Sequence, residues 1–298
     1  MTERVPTVTV IVPVFNDVDR LRTCLARIAA QDYAGLTTVI VVDNRSSIDL
    51  RPALPAGDDR FRLIREEQRG SYAARNAALP LVDTDYIAFT DADCRPQPAW
   101  LSAAIGRLRA VDLPDAVGGD IHLVFERSDD PTTGPELYES AHEFDQRQFV
   151  ESLGFAATAN LVVTRDILDR VGPFNADLQS GGDDDWGHRL HAAGGRMVYC
   201  ADAVVDHPAR STWPELTKKA VRVAEGMAGL TQGQAPAEDL RYLYREARLG
   251  AATWISIWRR ERPDSAGAKV RYAAALSWVS LLRCTVRVRQ RWMPRKAI

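Results

Sequence analysis

Two aspartates one residue apart follow an apolar run at Thr90-Asp91-Ala92-Asp93-Cys94. Hard divalent cations such as Mg2+ and Mn2+ take oxygen ligands, and they commonly use only one or two protein carboxylates when substrate phosphates complete the shell. The pair is therefore suited to hold a metal against a diphosphate. Asp-x-Asp is frequent in loops, but the apolar strand before it and Pro96 and Pro98 after it narrow the reading. A second acidic group, Asp183-Asp184-Asp185, sits between Gly181-Gly182 and Trp186-Gly187-His188-Arg189. Three adjacent carboxylates repel one another. A helix N-terminus favours acids, so a solvated cap explains them. A general base taking the proton of an attacking hydroxyl explains them too. The helix dipole would lower the pKa of such a base and its acidic neighbours would raise it, and the residues alone leave that balance open.

Two further groups could serve the same chemistry. His207, in Val205-Asp206-His207-Pro208, follows a strand-like segment. Alone it reads as a structural histidine; beside an Asp-x-Asp metal site it becomes a candidate nitrogen ligand. Arg69 and Arg75, in Arg69-Gly70-Ser71-Tyr72-Ala73-Ala74-Arg75-Asn76, bracket a helix start just ahead of the aspartate pair. Forked guanidinium donors and free helix N–H groups both recognise phosphate. Surface arginines on a helix are the plain alternative.

The elements that must position these groups follow from hydrophobic periodicity. Thr7–Val14, Thr38–Val42, Phe61–Ile64 and Tyr86–Thr90 are short apolar, β-branched runs that read as buried strands. Between them, Val18–Gln31 carries Leu21, Leu25 and Ile28 at helical spacing, and Ser71–Leu79 reads as a second helix. Pro98–Ala110 reads as a third, with Pro98 in its first turn. Strands alternating with helices predict a mostly parallel sheet covered on both faces. In such sheets ligands bind outside the carboxyl ends of the strands, where Asn16, Asp43, Asp91 and Asp93 fall. Each alone is explained by a cap or loop; core packing does not require all of them together.

Further along, Ala116–Phe125 and Phe155–Thr164 read as strands, Asp166–Val171 and Gly181–Ala193 as helices, and Arg196–Tyr199 and Ala203–Val205 as two short strands. A helix over Pro135–Phe149 is expected, and the chain after His207 reads as helical, with breaks near Pro236 and at Arg262–Gly267. We expect residues 1–235 to form the main domain and 236–298 a basic helical extension.

Composition excludes several classes. Hydrophobic residues are 46% and charged residues 26%, ordinary for a globular chain of 298 residues. Cys24, Cys94, Cys200 and Cys284 show no CxxC spacing, which argues against a zinc cluster and for reduced thiols in a cytoplasmic protein. There is no signal-peptide pattern, and no apolar run approaches the ~18–20 residues of a membrane span.

Several motifs in order resemble family 2 glycosyltransferases. They are Val12-Pro13-Val14-Phe15-Asn16, Val42-Asp43-Asn44, Arg75-Asn76, Asp91-Ala92-Asp93 and the Gly181–Arg189 block. The match covers roughly residues 7–230. The resemblance implies an α/β GT-A fold, Rossmann-like, with an inverting, metal-dependent transferase activity. It implies that Pro13, Phe15, Asn16 and Asp43 contact the nucleoside, with Arg69 and Arg75 near the nucleotide. It gives Asp91 and Asp93 to ribose, diphosphate and a Mn2+ or Mg2+ ion, which His207 would approach. Asp183 matches the aspartate of the family's Glu-Asp motif and would be the catalytic base. Gly182 stands where glutamate is usual, so Asp184 or Asp185 would share or take that role. The donor expected first is a UDP-sugar, with GDP and dTDP open.

A second departure, at the C-terminus, sets a limit. Val288 stands where the Gln-x-x-Arg-Trp element of processive synthases needs glutamine before Arg291-Trp292, which argues against processive synthesis. Residues 241–298 carry 14 Lys and Arg against three acids, so the rest of the chain is acidic. The segment Ala273–Trp292 mixes apolar residues with arginines. It would either pack on the protein or a second subunit, or touch the inner face of a membrane near a lipid-linked acceptor. Packing is favoured, a homo-oligomer stays open, and no motif supports nucleic-acid binding. A glycoside hydrolase also uses paired carboxylates but would not need a metal loop. A nucleotidyltransferase would carry a glycine-rich loop where Pro13-Val14-Phe15-Asn16 stands, and a non-catalytic module would tend to have lost the acids.

Overall fold

The β-branched run at the N-terminus forms β1 (Val8–Val14), buried along its whole length. It lies between two parallel neighbours, β2 (Leu36–Asp43) and β4 (Tyr86–Thr90), and β3 (Phe61–Arg65) continues the sheet beyond β2. The ladder to β4 ends at Ile11, two residues before Pro13, which has no N–H to donate. Alternate residues serve opposite faces. Val8, Val10, Val12, Val39 and Val41 pack with α1 (Val18–Ala29) and α3 (Trp100–Leu108). Ile11, Ile40 and Val42 pack with α2 (Ser71–Ala78), α6 (Arg165–Val171) and α7 (Gly182–Ala192). Two buried faces explain why these strands are nearly continuous in apolar residues. The computed structural model describes residues 4–142, 144–230 and 236–292.

The sheet has eight strands in the order β3-β2-β1-β4-β7-β6-β8-β5. The parallel expectation holds for β3, β2, β1 and β4. The remainder differs: β7 (Asn160–Thr164) runs antiparallel to β4 and to β6 (Ala116–Val124), and β5 (Arg95–Pro96) is antiparallel to β8 (Met197–Pro208). The two short strands expected at 196–205 are one strand of 12 residues. The exposed pair Ala201-Asp202 that reads as a break is simply its solvated stretch. The helix expected over 135–149 is divided. It stops as α4 (Gly134–His142), Phe144 takes φ +56°, and Asp145 caps a new turn, α5 (Gln146–Gln148), by accepting the Gln148 N–H at 3.0 Å. Pro98 lies ahead of the α3 cap, Ala99, not in its first turn.

Two compact units divide the chain. The first comprises the residues up to His122, Phe144–Leu178 and Gly182–His207. The second contains α4, α8 (Trp213–Leu230), α9 (Pro236–Ser256) and α10 (Ala266–Trp292), around Leu137, Leu216, Ile257, Tyr272 and Leu276. The amphipathic segment 273–292 belongs to α10, which packs against α4, α8 and α9. Among the described residues no helix is long and apolar enough to cross a membrane.

Candidate active site

Because β1, β2 and β4 are parallel neighbours, the residues following them share one sheet edge. Val14 is level with Asp43. Asn16, just past β1, takes a left-handed φ of +52° and accepts the Ser47 amide on Oδ1 at 2.7 Å. Asp43 is buried, accepting the Ser46 amide at 2.7 Å and Arg65 Nη1 at 2.8 Å. Asn44 joins this edge to the start of α2: its Nδ2 donates to Gln68 O at 2.6 Å and its Oδ1 accepts the Gly70 N–H at 2.8 Å. Gly70 caps α2 at φ +124°, a conformation that suits glycine. Pro13 is in β1, whereas Phe15 and Arg69 are exposed in the adjoining loops.

The aspartate pair follows β4 directly. The antiparallel ladder between β5 and β8 sets Arg95 opposite Asp206, so the next step brings His207 beside Cys94 and Asp93. Asp91, Asp93, Cys94 and His207 place one ligand atom each within 4.8 Å of one another. His207 Nε2 lies 3.8 Å from Asp93 Oδ1, with its ring packed on Phe144. Burial pushes the Cys94 thiol up, and the Asp93 and Asp91 charges push it further. A thiol is a soft ligand that hard cations disfavour, so the donors suited to such a cation are two carboxylates and an imidazole. That oxygen-rich set, with one nitrogen, fits Mn2+ or Mg2+.

Helix α2 ties this cluster to the acidic group. Arg75, fully buried, donates through Nη2 to Asp91 Oδ1, while its Nε and Nη1 are buried without a hydrogen-bond partner. Three residues earlier, on the same helix face, Tyr72 donates its hydroxyl to Asp183 Oδ1 at 3.0 Å and accepts the Asp183 amide at 3.3 Å. The Tyr72 ring also explains Gly182, since a Cβ there would sit 2.7 Å from the ring. Asp183 Oδ1 additionally accepts the Asp184 amide at 3.2 Å. Burial raises the Asp183 carboxyl above the usual range, and the Tyr72 hydroxyl and Arg75 charge offset this only in part. Burial likewise raises the Tyr72 hydroxyl, with the Asp183 charge adding to it. Asp184 is partly exposed, with His188 Nε2 at 3.4 Å, and Asp185 pairs with Arg189 at 2.9 Å. Arg189 also donates to the carbonyls of Val171 and Pro173, which fixes the start of α7.

The sequence motifs gave no site role to Tyr72, Asn44, Arg65 or Cys94. Tyr72 had a usable signal, its three-residue spacing from Arg75. Arg65 had none, because its bond to Asp43 depends on the register of β2 with β3.

Comparison with known proteins adds four findings. A family model described as "Glycosyl transferase family 2" matches residues 9–172. The chain is 35% identical over 231 residues to glycosyltransferase AglE of Haloferax volcanii, covering 76% of this chain and 74% of that protein. It is 29% identical over 210 residues to the pre-mycofactocin glycosyltransferase of Mycobacterium tuberculosis, covering 68% of this chain and 43% of that one. Among solved structures it resembles the mannosyltransferase PcManGT of Pyrobaculum calidifontis in complex with GDP-Man and Mn2+. The TM-score is 0.57 at 22% identity, over 98% of this chain and 88% of that one.

Proposed function

The chain belongs to glycosyltransferase family 2 and has the GT-A fold, and from that premise we propose that it moves a sugar from a nucleoside-diphosphate donor to an acceptor hydroxyl with inversion at C1. The observation that carries this reading is the meeting of Asp91, Asp93 and His207 within 4.8 Å at the carboxyl edge of the sheet, beside the buried Arg75. Asp43, Asn16, Pro13 and Phe15 would line the nucleoside side, with Arg69 at its margin. Asp91, Asp93 and His207 would hold Mn2+ or Mg2+. A bound cation there would offset the charge growing on the departing diphosphate. Arg75 neutralises Asp91 and keeps its carboxylate oriented. We assign these roles to residues 1–235 and none of them to the extension 236–298.

The proton of the acceptor hydroxyl goes to a carboxylate at the start of α7. The motif points to Asp183. One observation favours Asp184: Asp183 Oδ1 is already occupied by the Tyr72 hydroxyl and the Asp184 amide, whereas the Asp184 side chain is a third exposed, with His188 Nε2 3.4 Å away. UDP-sugars are our first donor, and the GDP-Man bound to PcManGT puts GDP-sugars in the same panel. Four unpaired cysteines support a cytoplasmic setting.

The test is thermal unfolding against UDP, GDP and dTDP with Mn2+, with Mg2+ and with EDTA. A ligand that binds only the folded state raises stability by mass action. A metal-dependent rise with one nucleotide is expected and names the donor class. No rise with any nucleotide, in any metal, would sink the proposal.

A further inference from the structure

Helix α9 sorts its charges by face. Two of its three acids point to α10: Asp239 is buried and bonded to Arg287 Nε at 2.6 Å, and Glu246 is buried with Arg283 at 3.5 Å. The third, Glu238, is exposed in the first turn. Thr253, and Ile257 in the short turn that follows, continue that buried side. The opposite side repeats Leu240, Tyr244, Ala247, Ala251 and Ile255 at spacings of three and four, which places them on one stripe. Trp258 follows just past the helix. Leu240 is 59% exposed, Tyr244 69%, Ile255 72% and Trp258 51%. Arg241, Arg245 and Arg248 flank the stripe at the same helical spacing, and Arg259 follows it; all four are exposed. Among the described residues Arg241, Arg248 and Arg259 have no ion-pair partner, so the flank, with four arginines against the helix's one exposed acid, Glu238, is net positive.

We propose that this outer face of α9 is a membrane-surface site for anionic phospholipid. Large aliphatic and aromatic side chains in a row, edged by arginines, are what an interfacial helix uses. The apolar stripe enters the headgroup boundary while the guanidinium groups reach the phosphates. Tyrosine and tryptophan prefer that boundary, where one end of the ring is apolar and the other wet. Charge decides the occupant. A second copy of this chain would set the arginine edge against its own like charge, whereas an anionic bilayer is complementary to it. The site is on α9; the tail helix α10 packs Tyr272, Ala275, Leu276 and Val279 into the core of its unit, although Trp278 and Leu281 stay partly exposed. It is independent of the transfer reaction and survives if that reading fails.

The experiment is vesicle co-sedimentation of the full chain, with phosphatidylcholine alone and with an equal mixture of phosphatidylcholine and phosphatidylglycerol. Binding to the mixture only, released at ~0.5 M salt by screening, is expected. Two variants at exposed positions read the two components: I255S with W258S, and R241Q with R248Q and R259Q. Both sets should keep the wild-type melting temperature. The arginine set should weaken partitioning by about a hundredfold, at the usual gain per basic residue near an anionic surface. Equal binding to both vesicle types, or to neither, overturns the proposal. So does a dimer in light scattering that I255S dissociates, which would make the face an interface between copies.

Discussion

The Tyr72 hydroxyl donates to Asp183 Oδ1 at 3.0 Å, joining the helix that carries Arg75 to the helix that begins with the acidic group. This bond supplies the side-chain donor that the half-buried Asp183 carboxylate receives. Removing it in Tyr72→Phe leaves the carboxylate short of a partner, which costs about 1–3 kcal/mol of stability. Nucleotide affinity should change little, because Tyr72 faces α7. We expect kcat to fall with the donor KM nearly constant. An equal loss in donor affinity would show that Tyr72 acts on the nucleotide side instead.

The two candidate bases separate by substitution and by pH. Asp183→Asn and Asp184→Asn should both retain metal-dependent nucleotide binding. The one that abolishes transfer identifies the base. Asp183→Asn has a further signature. Burial raises the native Asp183 pKa above its unfolded value, so the folded state binds the proton more tightly. Its contribution to stability is then full below the unfolded pKa and is lost as pH rises through the native one. Replacing it with neutral Asn removes that loss. The variant should melt above wild type at neutral pH, and the difference should close as the pH is lowered through the carboxylate range. Parallel melting curves at every pH would refute the buried-carboxylate account.

Asp93→Ala should erase the Mn2+ dependence of the nucleotide-induced thermal shift while leaving the protein folded, since Asp93 is only partly buried. A carboxylate that positions a metal against a diphosphate contributes nothing in EDTA. The variant and wild type should therefore coincide there. Unchanged shifts with Mn2+ would take Asp93 out of the metal site.

How much of this was legible in the sequence depends on the range of the contact. The first four strands and three helices declare themselves by local periodicity, and their parallel order follows from the alternation. That was enough to predict that Asn16, Asp43 and Asp91 share an edge. His207 is different. It reaches Asp93 because β8 runs antiparallel to the two-residue β5, a pairing across more than a hundred residues that no local pattern encodes. The division of 135–149 was hidden for another reason: Phe144 is an unlikely residue for a left-handed φ, so no glycine marked the break. Gly182 was visible only as a departure from a motif; the Tyr72 ring beneath it gives the physical reason.

The second unit is held by a buried charge cluster that can be tested alone. Glu139 of α4 is fully buried; Lys219 Nζ and Arg210 Nη1 each approach its Oε1 to 3.0 Å, and the Arg210 amide donates to Oε2 at 2.9 Å. Burial by itself would raise this carboxyl. Lys219, then Arg210, more than offset that and hold it below the ordinary range. A lowered native pKa gives stability that is present above the unfolded pKa and is lost as pH falls through the native one. Lys219→Met removes one compensating charge from a buried carboxylate, and should cost about 3 kcal/mol at neutral pH. The deficit relative to wild type should shrink in acid, where Glu139 is protonated in both. The double variant E139Q with K219M should recover part of the loss, because the fully buried side chain at 139 then carries no charge, while the part-exposed Arg210 keeps its own. If the double variant is no more stable than Lys219→Met, the cost lies in packing of the lysine stem rather than in charge.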